Sequence, residues 1–230
     1  MKDFKKAEEI IKEYRKLRLN KKTKDEFDLH KKLAKLGYTE QQFIAERDDR
    51  YLKSLEMQVD YCDVDNTVEK ITEHIISSKP SVLLAIPTKP AVYVGKDEFN
   101  RKYCIENNIP ILQLGYSGGT IVEGNGDLGI AIFLKKAMNL RFFQEKISEW
   151  IGDCKIAGND ILVNGNKVVG GAILKKGDKT IYYFQVSFSV DLNLIENICS
   201  KEMKKIPKGL SEFGTKTREE LIEEVQSWLQ

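Results

Sequence analysis

The chain has 230 residues, with 37 Lys and Arg against 35 Asp and Glu and a formal net charge of +2. That length suits one α/β domain with an appendage, and mixed charges of near-equal number give no basis for general nucleic-acid binding. Cys62, Cys104, Cys154 and Cys199 form no CxxC pair, and His30 and His74 fall in no metal-ligand spacing, which argues against a disulfide framework, a zinc site and a Ser-His-Asp triad.

In chain order, Phe4, Ala7, Ile10, Ile11, Tyr14 and Leu17 recur at helical spacing. The basic residues among them (Lys5, Lys6, Lys12, Arg15, Lys16, Arg18, Lys21 and Lys22) are interrupted by Glu8, Glu9 and Glu13 and read as a solvated helix face. A charged N-terminus of this kind lacks the apolar core of a signal peptide, and no apolar run is long enough for a membrane span. A cytoplasmic protein without a membrane or nucleic-acid partner is expected. A second helix covers Phe27 to Leu36 and ends at Gly37; Thr39 and Gln42 form a capping box for a third. Residues 1–60 thus form a helical extension, either structural or a docking surface, and residues 61–230 a separate catalytic-type domain.

Val68 to Ile76 has a helical apolar face, closed by Pro80. Ser81 to Ile86, Ala91 to Val94 and Ile111 to Leu114 read as short strands, with a helix over Asp97 to Asn107. Leu128 to Leu134 is a further apolar strand and Leu140 to Ile151 a helix. Asp160 to Val163 and Lys167 to Leu174 flank Asn164-Gly165, whose tolerance of positive φ marks a hairpin. Thr180 to Val190 is a long strand, Asp191 caps a helix to about Lys204, and Thr217 with Glu220 caps the last helix. The expected class is α+β, with a mixed, mainly antiparallel sheet and flanking helices.

Two segments carry chemistry. Ser117-Gly118-Gly119-Thr120 follows a strand, where glycines let the backbone approach an anion. It lacks the GKS or GKT of a Walker loop and the crossover helix of a dinucleotide fingerprint. Further on, Lys167 precedes Val168, Val169, Gly170, Gly171 and Ala172. Strict alternation sends Lys167 and Val169 to one face and Val168 and Gly170 to the other. A lysine beside small residues can hold an acyl carbonyl or a phosphate oxygen as charge develops. Asp160, one strand earlier beside Asn159, can pair with that lysine or accept a proton from an attacking amine.

These segments resemble the biotin/lipoate protein ligase superfamily, and its lipoate-protein ligase branch most. That branch carries R-R-x-S-G-G-G-x-V and, downstream, N-D-(I/L) followed by K-(I/V)-x-G-(S/G)-A. Ser117, Gly118, Gly119 and Val122 match the first pattern. Asn159, Asp160 and Ile161, then Lys167, Val168, Gly170, Gly171 and Ala172, match the second. Gly126-Asp127-Leu128 resembles the following G-N-L, and Ala91 to Gly95 the earlier V-x-x-G. The resemblance covers roughly Ser81 to Leu229.

It implies a lipoate-protein ligase-like enzyme. Lipoate, or less well biotin or octanoate, is activated by ATP with Mg²⁺ as acyl-AMP and passed to a lysine of a lipoyl-carrier domain. Lys167 and Asp160 are the implied catalytic pair. Ser117, Gly118, Gly119, Thr120, Val122, Asn159, Gly170, Gly171 and Ala172 are the implied acyl- and adenylate-binding positions; no protein-bound metal site is expected.

Several positions depart from the pattern. Leu114 and Gly115 replace the arginine pair, Thr120 the third glycine, and Glu123-Gly124-Asn125 the aromatic-His-Asp after the valine. Losing guanidinium groups weakens phosphate binding, and Glu123 would repel phosphate if it faced inward. These departures keep three alternatives open. One is an ATP-independent octanoyl or lipoyl transferase using Cys154, beside Lys155, as nucleophile. The others are biotin ligation and a non-catalytic module that binds a cofactor or carrier.

Overall fold

The computed structural model describes residues 3–19, 30–113, 119–199, 206–214 and 216–229. They fall into two compact units, Met1–Ser54 and Leu55–Gln230.

The first unit is helical. Helix α1 (Phe4–Leu19) and helix α2 (Glu40–Lys53) flank a helical segment at residues 30–35. The capping box at the start of α2 forms as expected: Thr39 Oγ1 accepts from the Gln42 amide, and the Gln42 side chain accepts from the Thr39 amide. Ala7, Ile11, Leu33, Tyr38 and Phe43 make a small core. Phe4 stacks on Phe43 at 5.0 Å, with the Arg50 guanidinium 4.2 Å from the Phe4 ring centre. The part of the second expected helix before residue 30 lies outside the described residues.

The second unit is α+β. Its main sheet has seven strands in the order β1-β2-β6-β10-β9-β8-β7. These are β1 (Gln58–Cys62), β2 (Ser81–Ala85), β6 (Asp127–Leu134), β7 (Lys155–Ala157), β8 (Asp160–Val163), β9 (Asn166–Lys176) and β10 (Lys179–Ser187). Only β1 and β2 are parallel; the other neighbours are antiparallel. A small second sheet has the order β4-β3-β5, from Ile111–Leu112, Ala91–Tyr93 and Ile121–Glu123.

Alternation along β10 assigns the faces. Tyr182, Phe184 and Val186 point to one side, where Phe143 of helix α5 (Leu140–Ile151) meets Tyr182 and Phe184 at 4.9 and 6.4 Å. Ile181, Tyr183, Gln185 and Ser187 point to the other. There Leu83, Ala85, Ala131 and Phe133 form a core with Ile181 and Tyr183, covered by Ile71 and Ile75 of helix α3 (Thr67–Ile76) and by Ile121 of β5.

The hairpin at Asn164-Gly165 is present, with φ of 49° and 81°. The helix expected from Asp97 is shorter: α4 is Arg101–Glu106, because Phe99 bridges Cys199 and Asn100 caps the helix through the Tyr103 amide. The helix capped by Asp191 also stops early. Helix α6 is Leu192–Ile198, and Cys199 is extended (φ −76°, ψ 127°) to meet Phe99. A short 3₁₀ turn (Leu210–Glu212) precedes α7 (Arg218–Ser227), which begins with the expected Thr217–Glu220 capping box. The periodicity did not reveal β1, β5 or β7. Each is a strand of three to five residues, too short for a repeat to show.

Lys179 is fully buried, and its ammonium donates to the carbonyls of His74 and Lys79 at 2.7 Å each. It sits at the C-terminal end of α3, where carbonyls lack helical partners and a cation is favoured.

Candidate functional site

Strand β9 breaks the alternation expected of it. Leu162 pairs with Lys167 while Ile161 pairs with Val169, so Val168 is an extra residue on β9. This bulge turns Lys167 onto the face of Val168 and Gly170, not that of Val169. Strict alternation therefore gave the wrong face. The backbone of Lys167 is fixed from outside the sheet: its amide donates to Ile206 O at 3.1 Å, and its carbonyl accepts from Lys208 at 2.9 Å.

The bulge brings the lysine to Asp160. Lys167 Nζ lies 3.2 Å from Asp160 Oδ1, with both side chains partly exposed. Gly170, opposite Asp160 in register, supplies the room: a Cβ there would sit 2.8 Å from Nζ and 2.9 Å from Cε of Lys167. We expect Gly170→Ala to push the ammonium away from Asp160. Activity should fall on the order of 100-fold, with little change in melting temperature because only a flexible side-chain end is displaced. Paired measurements of kcat/KM and Tm check this; unchanged kcat/KM would show that the lysine's position is immaterial. Gly171 has a different task. Its amide donates to Asn159 O at 2.8 Å, and a Cβ would strike that oxygen at 2.8 Å.

Lys167, Asp160 and Gly170 open onto a cavity of about 500 Å³. Thr120 and Val122 line it from the glycine segment, Gln185 and Ser187 from β10, and Asp127 from β6. Ser117 and Gly118 lie outside the described residues. Gly119 packs on Asp97, whose Oδ2 would be 2.6 Å from an added Cβ. Thr120, which replaces a glycine of the resemblance, uses its hydroxyl structurally: it donates to Asp97 O at 2.7 Å and accepts from the Gly95 amide at 3.1 Å. Asn159, Gly171 and Ala172 are not among the lining residues.

Cys154 is not a lining residue either; its thiol faces Ser148 O at 3.6 Å. The cysteine that lines the cavity is Cys199. Burial, then the nearby Asp97, pushes its thiol pKa up. Sequence reading passed over Cys199 because its place in the site depends on the early end of α6. Gln185 and Ser187 were more legible, as polar residues at alternate positions of an otherwise apolar strand.

Beneath the cavity lies a buried acidic pair. Asp127 accepts the Gly124 amide at 2.7 Å and the Gln185 side-chain amide at 2.9 Å. Burial raises its pKa, opposed by those bonds and by Ser187. Glu123 is fully buried and does not line the cavity. Its carboxyl accepts from the Tyr183 hydroxyl, with the Tyr93 phenol also beside it. Burial and the neighbouring Asp127 push its pKa up to about 8. Glu123 is therefore largely uncharged at neutral pH and is no repulsive charge toward a phosphate.

The lining residues include Asp97, Asp127, Asp160 and Asp191, and Lys167 as the only Lys or Arg among those described. No cluster of three or more His, Cys, Asp or Glu among the described residues can hold a metal ion. Nor is any described helix long and apolar enough to cross a membrane.

Residues 64–227 match the model of the lipoyl protein ligase A/B catalytic domain. The chain belongs to that family. Its members attach lipoate or octanoyl groups, and the catalytic domain spans the second unit almost entirely. No curated protein sequence matches the chain. Solved structures share the fold. The bi-partite lipoate protein ligase from Thermoplasma acidophilum, described with its E2 lipoyl domain, is 14% identical with a TM-score of 0.62, over 76% of this chain and 82% of that one. LipL1 of P. falciparum in complex with lipoate is 18% identical with a TM-score of 0.57, over 75% of this chain and 62% of that one. A lipoate-protein ligase A bound with ATP is 15% identical with a TM-score of 0.56, over 75% and 81%. At these identities the likeness is one of fold.

Proposed function

We propose that the chain is a lipoate-protein ligase-like enzyme that places a lipoyl or octanoyl-type acyl group on a lysine of a carrier domain. The observation that carries this reading is the Lys167 ammonium, held 3.2 Å from Asp160 at the mouth of the cavity, over a glycine that leaves space for a ligand. Lys167 can donate to the acyl carbonyl oxygen as it gains charge. The carrier amine forms a bond to the carbonyl carbon, the bond from that carbon to the leaving group breaks, and Asp160 takes the proton the amine loses. Bound ATP with Mg²⁺ would supply the activation, leaving AMP as the group expelled. Lys167 is the residue to meet its phosphate, and Asp160 or Asp97 could face the metal. With four aspartates to one lysine, however, the described lining does not fit a bare polyphosphate.

The presence of Cys199 in the lining favours a second reading. Here the acyl group arrives already activated as a thioester. Burial and Asp97 keep Cys199 a thiol at rest, so its sulfur bonds to the carbonyl carbon as its proton passes to the departing donor sulfur; the carrier amine then bonds to that carbon and gives up its proton as the bond to Cys199 breaks, releasing the thiol. ATP–pyrophosphate exchange stimulated by lipoate supports the ligase. Transfer from an acylated carrier without ATP, lost in Cys199→Ala by at least 100-fold but kept in Cys154→Ala, supports the thiol route. Intact-protein mass spectrometry should then show the acyl group on Cys199. Carrier acylation under neither condition sinks both readings.

A further inference from the structure

Register sets Asp160 and Gln185 in one row across the sheet. Asp160 of β8 pairs with Gly170 of β9, and Gly170 pairs with Gln185 of β10. All three line the cavity, so Asp160 and Gln185 stand on either side of the gap over Gly170. With neighbouring strands about 4.8 Å apart, their backbones are separated by roughly 10 Å. The Lys167 ammonium lies between them, against Gly170 and 3.2 Å from Asp160.

Gln185 is held in one orientation. Its Nε2 donates to Val122 O at 2.8 Å and to Asp127 Oδ2 at 2.9 Å. A backbone carbonyl can only accept, so the amide nitrogen, not the amide oxygen, faces Val122. Asp127 is itself pinned, because the same oxygen accepts from the Gly124 amide at 2.7 Å. Both amide hydrogens of Gln185 are thereby spent. Its carbonyl oxygen, Oε1, has no hydrogen bond among the described residues, and the side chain is half-buried in the cavity wall.

An amide oxygen and a carboxylate on opposite sides of a lysine suit one kind of nucleophile. A primary amine has two N–H bonds and must aim its lone pair at the carbonyl carbon. Two acceptors, one on each side, fix that aim. Asp160 takes the N–H whose proton is lost, and Gln185 Oε1 takes the other, while Lys167 meets the carbonyl oxygen. An alcohol has a single O–H and cannot satisfy both acceptors.

We propose that Gln185 binds the attacking carrier amine through Oε1 and makes the cavity selective for a primary amine as acyl acceptor. The proposal rests on the acyl-transfer reading above and deepens it by naming the residue that recognises the acceptor. It holds for both routes, since each ends with the same amine at the same carbonyl carbon.

Rates of acylation, followed by mass spectrometry and compared with the uncatalysed reaction, test it. Octanoyl-AMP and the octanoyl thioester of N-acetylcysteamine serve as donors, one for each route. The acceptors are Nα-acetyllysine amide, its Nε-methyl analogue and a lipoyl-carrier domain. The methyl analogue keeps one N–H for Asp160 and turns its methyl group to Gln185. The unmodified full chain should prefer the primary amine by about fivefold to tenfold beyond the uncatalysed preference, the worth of one hydrogen bond. Gln185→Met, of similar length but with only a weakly accepting sulfur, should slow the primary amine by that factor and abolish the added preference. The preference is a ratio and does not depend on how much of the variant is folded. If Gln185→Met yields no folded protein, Gln185→Asn withdraws the oxygen by one carbon and carries the same expectation. An equal preference in the variant and the unmodified protein overturns the assignment, as does the absence of added preference in the unmodified protein. Acylation of the carrier domain but of neither small amine also overturns it, because recognition then lies in the carrier. If no acceptor is acylated above the uncatalysed rate by either donor, the acyl-transfer reading itself falls.

Discussion

Replacing Lys167 with alanine should lower kcat/KM for carrier acylation by about 100–1000-fold, the cost of removing one preorganised donor to a developing oxyanion. The fold should hardly notice. The Lys167–Asp160 pair is partly exposed, and pairs of that kind contribute about 0–1 kcal/mol. Lys167→Arg should not rescue activity. A planar guanidinium needs more width than the gap above Gly170 offers, where even a methyl group would lie 2.8 Å from Nζ. Mass spectrometry of the carrier gives the rate, and thermal unfolding shows that the variant is folded. Full activity in Lys167→Ala would remove this lysine from the chemistry. Asp160→Asn is the informative companion: it keeps shape and loses charge, so its deficit should grow as pH falls and the attacking amine becomes harder to deprotonate.

Much of this site could be read from residue order, and what could not has physical causes. Asp160 and Lys167, which line the cavity, could be placed near one another because their neighbours set a hairpin, and hairpin geometry is local; Asn159, read with them, is not in the lining. The face on which Lys167 emerges could not be read. It depends on one unpaired residue, Val168, whose bulge is set by the partner strand and by the bonds from Lys167 to Ile206 and Lys208. Neither of those leaves a periodic trace. The order of the main sheet was hidden for a similar reason. Strand β1 pairs with β2 across helix α3, as in Gln58 with Ser81 and Cys62 with Ala85, and five residues of mixed burial show no pattern by themselves. The site therefore combines a local motif with long-range positions. Gln185, Ser187, Asp127 and Cys199 join the cavity only because β6, β10 and the end of α6 meet there.

Glu123 is a case in which sequence gave the residue and only the fold gave its state. As a free side chain it would be an anion above its ordinary pKa of 4.5, whereas in the folded protein burial and Asp127 raise that value to about 8. The folded chain thus holds a proton that the unfolded chain releases between those two values. The sign follows: Glu123's contribution to stability is complete below pH 4.5 and is lost as pH rises through about 8. The slope can reach about 1.4 kcal/mol per pH unit. Glu123→Gln cannot ionise and still accepts from Tyr183. Its Tm should fall less than that of the unmodified protein between pH 5 and pH 8, roughly that window, with the gap widening at each step. Asp127 is also raised by burial and acts with the same sign, so the slope remaining in Glu123→Gln should flatten further when Asp127→Asn is added. Denaturant unfolding across the pH series measures the gap directly. A constant difference between the unmodified protein and Glu123→Gln would mean that Glu123 is already ionised at pH 5.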